Sequence, residues 1–86
     1  MTIYAIEFVH SAEKEISKLP SHIRLRILKA ISSLSLDPRK GNVRPMVGTR
    51  SWRLRVGDYR VIYDISEAKV VIVIIRIGHR KQIYRK

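Results

Sequence analysis

The segment Trp52-Arg53-Leu54-Arg55-Val56-Gly57-Asp58-Tyr59-Arg60-Val61-Ile62-Tyr63 constrains the fold more than any other part of the chain. Two alternating runs meet at Gly57-Asp58, a two-residue connection of the Gly-X kind that suits a tight type II′ turn. That turn fixes a register: Val56 opposite Tyr59, Arg55 opposite Arg60, Leu54 opposite Val61 and Arg53 opposite Ile62. Strand alternation then sends Trp52, Leu54, Val56, Tyr59, Val61 and Tyr63 to one face. Arg53, Arg55 and Arg60 go to the other. Like charges directly opposite destabilise a sheet, so folding alone gives no reason to set Arg55 against Arg60. A solvated face with arginine stems lying over apolar neighbours is the bland reading. A surface built for a polyanion accounts better for the repulsion.

The rest of the chain supplies what such a hairpin needs. Thr2 to Val9 is rich in β-formers and reads as a strand. Ser11 is placed to cap a short helix that Pro20 ends, and Ser21 to cap a second. Ile23, Ile27, Ala30, Ile31 and Leu34 recur at helical spacing, with Arg24, Arg26, Lys29 and Ser33 largely elsewhere around the helix. Asp37-Pro38 stops it. Arg39 to Ser51, with Gly41, Pro45 and Gly48, reads as a basic loop. Strands are expected at Ser51–Val56, Tyr59–Ile65 and Val70–Ile77. The run Val70 to Ile75 is apolar on both faces, as a central strand should be. A short basic tail, Gly78 to Lys86, follows. The expectation is a single α+β domain over 1–86 in the order β-α-α-β-β-β. Its two N-terminal helices pack on one face of a small, mainly antiparallel sheet and bury the Trp52/Leu54/Val61 side. Gly78-His79-Arg80 should then bring further basic groups to the arginine face, making a shallow cationic bowl.

Charge narrows the partners. The 86 residues carry 18 Lys and Arg against 7 Asp and Glu, a formal charge of +11 that calls for an acidic partner. No apolar run approaches the roughly 20 residues needed to span a bilayer, so a membrane partner is not expected. With no cysteine and no signal-peptide pattern at the N-terminus, the cytoplasm is the expected compartment. The four glycines form no phosphate loop, and His10, His22 and His79 lack metal-ligand spacing, so neither cofactor nor metal is expected.

What remains is a cluster of arginines with His79, Tyr59, Tyr63 and Tyr84. It fits metal-free cleavage of an RNA phosphodiester, which needs a base for the 2′-hydroxyl, cations for the phosphorane and an acid for the leaving 5′-oxygen. Arginine forks stabilise the phosphorane but keep their proton, so the base would be His79 or Tyr84. Tyr84 could instead stack on a splayed base. Tyr59, Tyr63 and Trp52 share a face and read as core. Lys81, Arg85 and Lys86 add to a general phosphate-attracting field.

The hairpin, followed by Val73-Ile74-Ile75-Arg76-Ile77-Gly78-His79-Arg80 and Tyr84-Arg85, resembles the RelE/ParE toxin superfamily, as do Lys18-Leu19-Pro20 and Asp37-Pro38 upstream. The resemblance covers nearly the whole chain and implies the toxin of a type II toxin–antitoxin pair. RelE-like members cut messenger RNA in the ribosomal A site and are neutralised by an acidic, RelB-like antitoxin, whose complex sets the oligomeric state. By position, Arg53 and Arg55 match basic residues that bind the substrate phosphate. Arg60 matches the arginine on the scissile phosphate. Arg80 matches one assigned to transition-state stabilisation or leaving-group protonation, and Tyr84 a near-terminal tyrosine that stacks on or orients the base. Lys81 and Arg85 join Arg53 and Arg55 as phosphate contacts. Where the RelE pattern has a lysine, proposed as general base, this chain has Arg55, which leaves His79 and Tyr84 as rival bases. Two alternatives remain: a ParE-like gyrase poison, and a non-catalytic RNA- or ribosome-binding inhibitor of translation.

Overall fold

A computed structural model describes residues 2–79. In chain order the elements are β1 Ala5–Phe8, α1 His10–Ser17, α2 Ser21–Ser33, β2 Val43–Pro45, β3 Trp52–Val56, β4 Tyr59–Ser66 and β5 Val71–His79. They form one sheet in the order β1-β5-β4-β3-β2. β1 runs parallel to β5, and every other pair is antiparallel. The expected α+β architecture is present, with one strand more. The basic loop folds its middle into β2, pairing Val43 with Leu54 and Arg44 with Arg53. Pro45 ends this edge strand and helps keep it from pairing further.

The hairpin has the register the turn dictates, from Trp52 opposite Tyr63 to Val56 opposite Tyr59. Gly57 sits at φ 59°, in the left-handed region that a first turn residue of type II′ needs, and Asp58 does not. Leu54, Val56, Val61 and Tyr63 are buried on the face that meets the helices, beside Ile27, Ile31 and Leu34 of α2 and its C-terminus. Fully burying each such aliphatic side chain is worth about 1.5–3 kcal/mol, which makes this layer the main source of stability. The central-strand reading of the Val70–Ile75 run holds: β5 lies between β1 and β4, and Ile72 and Ile74 are fully buried.

The helix caps differ from expectation. Val9 and Pro20 occupy the N-cap positions, neither with a side-chain cap, so Ser11 and Ser21 fall inside the helices. Pro20 sets the extended entry to α2 by its fixed φ. The α1–α2 corner is held by Arg24, whose guanidinium donates to the carbonyls of Ser17 and Leu19, where a cation suits the end of a helix.

At the opposite end of the sheet a polar clasp fixes the start of the loop. Arg39 donates to Glu67 at 2.7 Å and lies 5.7 Å from the centroid of the Trp52 ring, while the Tyr4 hydroxyl donates to both Glu67 oxygens. The hydrogen bond from Arg39, and then that from Tyr4, holds the Glu67 carboxyl below its ordinary pKa. The buried Tyr63 hydroxyl donates to the Pro38 carbonyl.

Burial pushes the Tyr63 phenol up to about 12 from 10.0. The unfolded chain therefore releases this proton first, and folded stability falls as pH rises from about 10 toward 12. In urea titrations across that range the wild type should lose stability progressively. Tyr63→Phe should start lower, by roughly 1–2 kcal/mol for the lost hydrogen bond, and respond less to alkali.

Candidate nucleic-acid interface

Strand alternation and the loop after α2 together build the arginine face. Arg53 and Arg55 project from β3, Arg60 from β4, and Arg44 from β2, where it stands opposite Arg53. With Gly41 and Asn42, these four arginines line one shallow cavity of about 380 Å³. Among the described residues, no carboxylate lines it. The Arg55 N–H donates to the Asn42 carbonyl at 2.9 Å, tying the loop rim to β3. Arg44, expected in the basic loop, reaches the cavity from β2 instead. Its signal was the Val43-Arg44-Pro45 triplet lying within pairing reach of β3.

The four arginines are not equivalent. Arg55 is exposed and Arg53 half-buried, whereas Arg60 is only 9% exposed. One Arg60 nitrogen donates to the carbonyls of Gly57 at 3.3 Å and Tyr59 at 3.1 Å. Among the described residues, no carboxylate forms an ion pair with Arg44, Arg55 or Arg60. A guanidinium held this deep with carbonyls for partners is costly unless an anion completes it.

His79 lies on the other side of the sheet from where the sequence placed it. β5 carries a bulge: Ile62 faces Arg76 and Tyr63 faces Ile74, so Ile75 has no counterpart on β4. The extra residue resets the alternation. Ile74 and Ile77, three apart, are both buried on the core face, and Arg76 is turned out of it. His79 pairs with Tyr59, its ring edge-on at 5.6 Å between centroids, on the face opposite Arg60. The expectation that His79 joins the cationic bowl is therefore corrected. Gly78 is the residue of β5 opposite Arg60. Beyond the bulge, Glu15 of α1 accepts the Ile77 N–H at 2.8 Å and lies 3.7 Å from Arg76. Arg80, Lys81, Tyr84 and Arg85 lie outside the described residues.

Among the described residues, no group of His, Cys, Asp or Glu is placed to hold a metal ion. None of the described helices is long and apolar enough to cross a membrane.

The family described as ParE toxin of type II toxin–antitoxin system, parDE, matches residues 6–84. The chain belongs to this toxin family. It is 36% identical over 87 residues to Toxin RelG of Mycobacterium tuberculosis, covering 96% of this chain and 98% of that protein. It is 31% identical over 81 residues to the mRNA interferase toxin RelE of Escherichia coli, covering 92% and 85%. Among solved structures, the toxin–antitoxin complex RelBE2 of M. tuberculosis superimposes with a TM-score of 0.82 at 28% identity, over 91% of this chain and 99% of that one. The archaeal RelE–RelB complex of Pyrococcus horikoshii gives 0.79 at 31%, over 93% and 97%. The resemblance read from the hairpin and its flanks thus holds for the family, and these relatives carry RelE and RelG names.

Proposed function

We propose that this chain is a type II toxin acting as a RelE-like endoribonuclease on messenger RNA, engaged at the ribosomal A site. One observation carries the reading: Arg44, Arg53, Arg55 and Arg60 converge on one open cavity whose described lining holds no carboxylate. A phosphodiester supplies the missing charge. Arg60, deepest and held by two backbone carbonyls, is suited to bind the scissile phosphate and the phosphorane that forms from it. Arg53 and Arg55 hold the phosphate from the neighbouring strand, and Arg55 stabilises charge rather than accepting a proton. The 2′-hydroxyl attacks phosphorus, the leaving 5′-oxygen departs protonated, and a cyclic phosphate end remains.

The described lining contains no histidine, carboxylate or phenol to accept a proton. Since His79 faces Tyr59, the base is assigned to Tyr84, the rival named from sequence. Arg80 retains its proposed role at the transition state or leaving group, and Lys81 and Arg85 theirs as phosphate contacts. An acidic RelB-like antitoxin, as in the complexes of the related toxins, would neutralise the face by charge complementarity. The cytoplasm is the compartment that such a target requires.

The test is to induce the chain in cells lacking an antitoxin and map new 5′ ends on messages, with and without translation. Translation-dependent cuts within codons are expected. Intact messages with broken or relaxed DNA would replace this reading with the gyrase poison. Intact messages with stalled ribosomes would replace it with the non-catalytic binder.

A further inference from the structure

A second cleft, of about 430 Å³, lies on the helix side of the sheet, between α2 and the end of the β3–β4 hairpin. Arg26, Lys29, Ala30 and Ser33 of α2 line it at spacings of three, four and seven residues, which is one stripe of a helix. A stripe turned toward a hairpin is ordinarily apolar. Here Arg26 and Lys29 are both exposed, and Lys40 and Arg55 join them from the loop and β3. Among the described residues, no carboxylate lines the cleft. Among the described residues, none of the four cations has an ion pair. Like charges three apart on a helix cost stability, and adding Lys40 and Arg55 compounds the repulsion. Arg26 is also held close to the turn, its guanidinium 3.2 Å from where a Cβ on Gly57 would stand.

The two clefts meet. Gly41, Asn42 and Arg55 line both, so the tip of the loop is their common rim. Gly41 sits at φ 93°, with open space where a side chain would be. A chain molecule seated on the arginine face can pass over this rim and descend beside α2 without leaving positive potential. Regularly spaced negative charges on a flexible strand match that path; a single small anion would use only one end of it.

We infer that the α2 cleft is a second RNA-backbone subsite. It holds phosphates flanking the one over Arg60, and Arg55 is the residue shared between the two. The inference rests on the nuclease reading for the identity of the strand, but its test does not use cleavage. Binding of the full chain to an uncleavable 2′-O-methyl RNA 12-mer and to a trinucleotide is measured over a range of salt concentrations. Arg26→Ala/Lys29→Ala should weaken 12-mer binding about tenfold and reduce the log–log salt slope by about 1.4, near 0.7 per phosphate lost. Trinucleotide binding should change less than twofold. Lys14→Ala/Lys18→Ala removes the same charge from exposed positions on α1 and at its C-cap, which line neither cleft. It should weaken the 12-mer less than threefold.

Equal losses in the two double variants would overturn the subsite in favour of net charge alone. So would 12-mer binding by Arg26→Ala/Lys29→Ala at the wild-type level, or loss of binding to an acidic antitoxin peptide with RNA binding intact. A wild type that binds the 12-mer but never cuts messages refutes the nuclease and leaves the cleft standing. Active cutting with an unaffected double variant refutes the cleft alone.

Discussion

Arg60→Ala is expected to lower message cleavage by about 10²–10³-fold, the usual loss when one preorganised donor to a transition-state oxyanion is removed. The side chain is nearly buried and unpaired by any carboxylate among the described residues, so its charge is available to a phosphate at low local dielectric. Its removal also frees the carbonyls of Gly57 and Tyr59. Gly57 is exposed at the turn, where water can replace the guanidinium, so the stability change should be modest, within about 1–2 kcal/mol. Arg60→Lys keeps the charge but loses the fork, and should recover only part of the rate. Single-turnover cleavage and the guanidinium chloride midpoint, measured on the same preparations, separate the roles. Wild-type cleavage by Arg60→Ala would remove Arg60 from the site. A collapse of the midpoint matching the loss of activity would make it a structural residue.

The hairpin was legible because three independent signals agree: alternation, a Gly-X turn and a set of residues apolar on one side only. Register follows from such agreement, and the charged face follows from register. Depth does not, and alternation alone could not show that Arg60 is buried while Arg55, directly opposite, is exposed. The short β2 was hidden because three residues ending in Pro45 carry no periodicity of their own; their strand character comes from pairing with β3. His79 was misplaced for a more instructive reason. Counting by twos from Ile72 and Ile74 would put Arg76 in the core and Ile77 outside it. That conflict between burial and parity is the sequence signature of the bulge at Ile75, and the side chains from Arg76 to His79 change face after it. The serine caps failed because Val9 and Pro20 already provide extended backbone at the helix starts, so their geometry needs no hydroxyl.

Arg55→Thr separates folding from function by the sign of its effects. Arg55 stands directly opposite Arg60, and replacing one of two like charges with a β-branched residue of high strand propensity should stabilise the hairpin by about 0.2–1 kcal/mol. The same change removes a cation common to both clefts. Cleavage should fall about 10²-fold for lost charge stabilisation, and RNA binding should weaken with a salt slope smaller by about 0.7. A higher unfolding midpoint combined with a much slower enzyme is therefore the expected pair of results. It has a physical meaning beyond the single residue, because a side chain kept for packing would cost stability when removed. If the midpoint falls and cleavage is unchanged, Arg55 serves the sheet, its stem covering apolar neighbours as on an ordinary solvated face. If stability rises and activity falls, the repulsion across β3 and β4 is a cost of folding that only a bound polyanion relieves. The arginine face is then held in a frustrated state by the sheet beneath it, ready for the phosphates it lacks.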